Sequence, residues 1–142
     1  MEFKIFEQAQ AITYEAALVE LTKGHKQKHW MWFFFPQLEG IGKSEISQKF
    51  ALDDIQHARD YLAHPLLGER LLRFTEVCCS HEGLTAKDIF AHDSIKFHSC
   101  MSLFALSHPD NEVFNRAIKQ FFAGLYCQKT LQILRDHGEL EY

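Results

Sequence analysis

His29-Trp30-Met31-Trp32-Phe33-Phe34-Phe35-Pro36-Gln37 places two tryptophans and three phenylalanines between a histidine and a Pro-Gln turn. Both tryptophans of the protein lie in this stretch. Burying one large apolar side chain stabilises a fold by roughly 1.5–3 kcal/mol, and aromatic side chains dominate cores and ligand contacts alike. The segment is therefore either the centre of the core or the wall of a site. Residues able to hold an anion or a polar ligand flank it, namely Lys26, Lys28, His29 and Gln37, but no complete catalytic signature accompanies them.

Outward from this stretch, helical periodicity dominates. Tyr14, Ala17, Leu18 and Leu21 recur at helical spacing after Thr13, read as an N-cap, and Gly24 reads as the stop of a first helix of two to three turns. Gly24, Pro36, Gly40 and Gly42 forbid a long helix around the aromatic run, which reads as a short helix or irregular stretch. Ser44 can cap a helix through Phe50, and Asp53 or Asp54 one carrying Ile55, Ala58, Tyr61 and Leu62. His64-Pro65 marks a break, with Pro65 suited to the first turn of the next helix, whose apolar stripe runs from Leu66 to Cys78. Thr85-Ala86-Lys87-Asp88 resembles a capping box opening a short helix to Phe90. Asp93 begins a helix apolar on most sides, Pro109 starts one stopped by Gly124, and Thr130 to His137 forms a last short helix with Gly138 as its C-cap. No alternating strand of convincing length appears. The expected fold is all-α, a single compact multi-helix domain over residues 1–142 with the aromatic segment at its centre.

Composition bounds the partners. A chain of 142 residues with 46% hydrophobic residues fits one core, and a formal net charge of -4 provides no global basic field for nucleic acid. The longest apolar run, Trp30 to Phe35, is far short of the roughly 20 residues of a membrane span, and the start Met1-Glu2-Phe3-Lys4 lacks the layout of a signal peptide. A cytoplasmic protein is expected, with no membrane or nucleic-acid partner. Cys78, Cys79, Cys100 and Cys127 show no metal-ligand spacing and read as reduced thiols. Of the nine histidines, only His25 and His29 are four apart, and they align only on a helix, so no metal site is expected.

Several stretches together resemble the domain-of-unknown-function 1810 family, small and mainly helical proteins of bacteria, fungi and plants. They are Ala9-Gln10; Gly24-x-Lys26-x-x-His29-Trp30-Met31-Trp32-Phe33-x-Phe35-Pro36-Gln37; Gly40-x-Gly42-x-Ser44; Ala58-x-x-Tyr61-Leu62-x-His64-Pro65-x-Leu67-Gly68-x-Arg70-Leu71; and Asp93-x-x-Lys96-x-x-Ser99-x-Met101-x-Leu103-Phe104, followed by Phe114, Phe121, Gly124 and Thr130-Leu131. The resemblance implies a fold and a set of positions; the family has no established activity. Two positions depart from its pattern: the glycine usual after Ile89-Phe90 is Ala91, and the acidic residue usual before Thr130-Leu131 is replaced by Cys127.

The candidate site residues each carry two readings. Lys26 and His29 beside tryptophan faces suit a phosphate attached to a flat ring; alternatively Lys26 snorkels and His29 satisfies a backbone carbonyl. Gln37 either binds a ligand edge or ties down its own loop. Gly40-Ile41-Gly42-Lys43-Ser44 looks like a small anion nest before a helix, with Ser44 otherwise only a cap. His64 is placed as an N-cap, and Arg70 either clamps an anion or pairs with Glu69 or Asp60. Asp93, Lys96 and Ser99 recur at three-residue spacing, a stripe able to supply a base, an electrostatic stabiliser and a donor, or else a cap and a surface pair. The expected function is binding of a phosphorylated or nucleotide-like small molecule, NAD or ADP-ribose among them, by Lys26, Trp30, Trp32, Gln37, Ser44, His64 and Arg70, with hydrolytic chemistry by Asp93, Lys96, Ser99 and His29 and no cofactor identified. The alternative is a non-catalytic module whose aromatic segment and helix faces bind a protein partner.

Overall fold

The computed structural model describes residues 3–140; residues 1, 2, 141 and 142, which the one-domain and N-terminal readings include, lie outside the described residues. In chain order come α1 (Lys4–Lys23), α2 (Met31–Phe34), α3 (Glu45–Lys49), α4 (Ile55–Ala63), α5 (Pro65–Cys79), α6 (Ala86–Phe90), a 3₁₀ turn (Ala91–Asp93), α7 (Ser94–Ser107), α8 (Glu112–Phe122) and α9 (Gln128–Asp136). The all-α expectation is met: among the described residues the extended pairing is one isolated parallel bridge, Leu38 to Leu52. No helix among them is long and apolar enough to cross a membrane.

The centre of the fold is α7. Apolar residues occur all round it, so it must be enclosed, and it packs against α4, α6, α8 and α9. Phe97, Cys100, Met101, Leu103 and Phe104 are sealed from solvent. The aromatic segment lies against this core. Phe35 meets Phe90 and Phe97 edge-to-face at 5.6 and 5.4 Å, and Trp30 meets Phe34 at 5.9 Å, the geometry that ring quadrupoles favour. Trp30, Phe34 and Phe35 are buried, whereas Trp32 and Phe33 are half-buried.

The first helix is twice as long as its periodicity suggested. Thr13 is not its N-cap: the hydroxyl donates to the Ala9 carbonyl at 2.8 Å, one turn back within α1, the local bond that lets threonine sit inside a helix. The turns before Thr13 were hidden because the inward residues there are Phe6 and the fully buried Gln10. Gln10 takes the place of an apolar residue by donating to the Phe33 carbonyl (2.7 Å) and the Tyr61 hydroxyl (3.3 Å) while accepting from Arg70 (3.1 Å).

The other boundaries follow their caps. Ser44, Asp54, His64 and Thr85 each accept a backbone N–H at the start of α3, α4, α5 and α6, and Thr85 with Asp88 completes the capping box. The α8 helix begins at Glu112, not Pro109, because Asn111 caps it, and it ends on Ala123 in the left-handed region rather than on Gly124 alone. The last helix starts at Gln128, two residues before Thr130.

Gly68, inside α5, is there for approach rather than flexibility: a Cβ built on it would lie 1.9 Å from the Leu62 carbonyl oxygen of α4. Gly68→Ala should destabilise the protein by about 3 kcal/mol in urea unfolding, although alanine is the better helix former by roughly 0.5–1 kcal/mol.

Candidate functional site

A carboxylate on α1 shapes the loop that carries the site. Glu20, 7% exposed, accepts the backbone N–H groups of Gln27 (2.7 Å) and Lys28 (3.0 Å) and the Trp30 indole N–H (2.9 Å). Burial by itself would raise its pKa, but the three donors outweigh that and hold the carboxyl below its ordinary value. Immediately before the loop, Gly24 ends α1 with a φ of 80°, and His81 Nε2 meets the Leu21 carbonyl at 2.6 Å. A carbonyl only accepts, so this nitrogen carries the proton. The loop then docks on the end of α6, where the Lys26 N–H donates to the Ile89 carbonyl at 2.7 Å.

That docking sets Lys26 beside the 3₁₀ turn. Its Nζ lies 2.8 Å from Asp93 Oδ2, and Lys96 Nζ lies 2.9 Å from Asp93 Oδ1. The Lys26 side chain is only 7% exposed, that of Asp93 18% and that of Lys96 31%. The ammoniums also sit over the two indoles, Lys26 at 5.3 Å from the Trp30 ring and Lys96 at 5.8 Å from Trp32, within cation–π range. Burial pushes the Asp93 carboxyl up, but the lysines, hydrogen-bonded to it and cationic, bring it below its usual value. Asp93 is not a side-chain cap of α7, because both oxygens are taken by ammoniums. At Trp32 the indole N–H is buried and has no acceptor among the described residues.

The turn holding Asp93 starts from a strained residue. Ala91 has φ 52° and ψ -123°, a region suited to glycine, which is why a glycine is expected at this position and why its absence costs stability here.

The other expected site residues are placed elsewhere or closed off. Trp30 is 0% exposed and so cannot touch a ligand; its reading as a ligand wall is corrected to a core anchor. Ser99, 1% exposed, donates to Gln37 Oε1 at 2.7 Å, tying α7 to the Pro-Gln turn, and no histidine or carboxylate among the described residues is bonded to it. Arg70 lies over the Tyr14 ring at 4.3 Å and on Gln10, with no bond to the Asp93 cluster. His64 Nδ1 caps α5, and its Nε2 is 3.5 Å from Glu7. Ser44 is occupied as the cap of α3, and in the glycine loop before it the Ile41 N–H donates to the Leu38 carbonyl at 3.3 Å while the Ile41 carbonyl accepts from Lys129 at 3.3 Å. His29 is exposed on the loop with no hydrogen bond or ion pair to Asp93. Since the segment from His25 to His29 is irregular, the helical alignment of those two histidines is absent. Cys127 starts α9 without a side-chain cap, its N–H donating to Ser102 Oγ at 2.8 Å.

Of the expected set, then, Lys26, Asp93, Lys96 and Trp32 are brought together. Glu20 and Gln10 were missed, since a lone polar residue on an apolar helix face reads as surface unless the partner it meets is known. A broad hollow of about 870 Å³ at the α7–α8 turn, lined among others by Arg59, His108, Asn111 and Arg116, contains none of the expected site residues.

The chain is thus a small α-helical protein whose bundle closes over a Trp- and Phe-rich segment and sets Lys26 and Asp93 beside it. The chain belongs to the family described as protein of unknown function (DUF1810), whose profile matches residues 1–134. It is similar to the conserved hypothetical protein Rv1873 from Mycobacterium tuberculosis, known from a crystal structure: 35% identity, a TM-score of 0.92, and coverage of 94% of this chain and 96% of that one. No curated protein matches the chain.

Three outcomes follow from this geometry. Both carboxyls, Glu20 and Asp93, have depressed folded-state pKa values, so the stability they contribute is complete above the ordinary carboxylate range near pH 4 and is lost as pH falls through the folded values. The melting temperature should drop steeply below about pH 4; Asp93→Asn should be about 2 kcal/mol less stable at pH 7, since it strands Lys26, with a shallower acid limb. Ala91→Gly should raise stability by about 1 kcal/mol, the relief of strain exceeding the added chain entropy, read as a higher urea midpoint.

Proposed function

We propose that the Lys26–Asp93–Lys96 cluster and the outer part of Trp32 bind a small phosphorylated or nucleotide-like molecule. The observation that carries this reading is the surplus of donors: two ammoniums share one carboxylate, and Trp32, whose ring lies under Lys96, has a buried indole N–H without an acceptor among the described residues. Nearly every buried polar group in a folded protein is paired, so a donor left unmatched on a ring that a lysine ammonium covers suits an anionic oxygen. Charge-assisted bonds from lysine to phosphate are short and strong, and the half-buried Trp32 ring offers an apolar edge for a flat group. NAD, ADP-ribose and sugar phosphates have this chemistry.

The arrangement favours holding over turnover. A general base works best with a pKa near the operating pH, whereas Asp93 is pulled the other way by two cations. Ser99 is committed to Gln37 and closed to solvent, so hydrolysis would need a ligand that supplies its own reactive group.

The test is a thermal-shift and calorimetric titration with phosphate, sugar phosphates, nucleotides, NAD and ADP-ribose on three proteins: wild type, Lys96→Ala and Trp32→Phe. A ligand specific for the folded state raises the melting temperature by mass action. Trp32→Phe keeps an aromatic face but removes the indole N–H with the five-membered ring that carries it, and should weaken binding about 5-fold or more; Lys96→Ala should weaken it about 10-fold or more. A panel that leaves the wild type unmoved, or binding that both variants retain, rejects the site.

A further inference from the structure

We propose that the outer face of α1 is a self-association surface, its occupant the same face of a second copy of this chain in an antiparallel, two-fold arrangement centred on Val19. On α1, Ile12 and Val19 are seven residues apart, within about 20° of one another around the axis, and both stand in solvent at 86% and 48% exposure. They are on the face opposite Phe6, Gln10, Ala17 and Leu21, which α1 turns inward. Scattered single apolar residues need no explanation, but two in one row on a 20-residue helix form a ridge.

Charge selects the partner and the register. Glu15 and Lys23 lie one turn either side of Val19, are exposed, and neither pairs with another described residue. When two copies run antiparallel with Val19 on Val19, Glu15 of each copy faces Lys23 of the other, twice by symmetry. Ile12 of each copy then falls just past Lys23 of its partner, over the hollow of about 370 Å³ whose walls include Ala16, Val19, Lys23, His25 and Gln27. The competing apolar register, Ile12 on Val19, brings the two Glu15 carboxylates together at the axis and is disfavoured by like-charge repulsion. One helix face buries less than the roughly 1,200 Å² of a standard interface, so the association is weak and concentration-dependent.

Sedimentation velocity at low ionic strength over a concentration series into the millimolar range tests this. The wild type should rise from 16.6 kDa towards twice that mass. Glu15→Lys and Lys23→Glu should each stay monomeric, and the double variant Glu15→Lys/Lys23→Glu should dimerise again; all substituted positions are exposed, and unchanged circular dichroism confirms that each variant folds. A wild type that stays at 16.6 kDa throughout overturns the proposal. So does a Lys23→Glu protein that associates as the wild type does, the signature of the competing register, in which Lys23 faces Gln8 rather than Glu15, or a double variant that fails to recover.

Discussion

Tryptophan fills a core well only when its indole N–H finds an acceptor there, and in this protein the acceptor is the Glu20 carboxylate. One oxygen of that group also collects two loop amides, so burying the charge, turning the chain after α1 and orienting Trp30 are a single event. Much else hangs on it. With Trp30 locked, Phe34 and Phe35 enter the core at fixed angles, and the loop between Gly24 and Lys28 is held flat enough for the Lys26 amide to reach Ile89. Gln10 does for the far side of the segment what Glu20 does for the near side, meeting the Phe33 carbonyl from ten residues earlier on α1, about 15 Å along its axis. The aromatic stretch is thus strung between two buried polar side chains of the same helix.

The contrast between the two acidic groups explains why one is structural and the other is a candidate for binding. Glu20 is surrounded by donors that belong to the fold and have nowhere else to go. Asp93 is matched by side-chain ammoniums, each with further protons to donate, at a rim where Lys96 remains a third exposed. Both carboxyls stay ionised at neutral pH, but the second is shared by two lysines, one of them at the rim.

Sequence and structure agree where local chemistry decides. Ser44, His64 and Thr85 cap the helices they precede, and the apolar girth of α7 marks it as the enclosed helix. Legibility fails where a residue's role depends on a distant partner. Thr13 looked like a helix start because the buried face ahead of it carries Gln10, whose partners Phe33, Tyr61 and Arg70 are 23 to 60 residues away. Arg70 and Asp93 carry the same family signal, yet Arg70 lies on Tyr14 and Asp93 between two lysines; spacing along the chain contains no information about that separation. Trp30 and Trp32 are two residues apart and alike in the sequence, but Trp30 is sealed and Trp32 half-buried, and only the position of Glu20 says which faces inward.

The enclosure of α7 has a consequence for how the molecule is made. Its neighbours come from both sides in sequence, α4 and α6 before it and α8 and α9 after it, and the aromatic segment that leans on Phe97 is complete roughly sixty residues before α7 begins to be synthesised. During translation those rings wait without their partner, the situation in which exposed apolar surface invites aggregation. The α1–Gln10–Glu20 scaffold is already available at that stage, so the helix that organises the finished segment is also placed to shelter it on the ribosome.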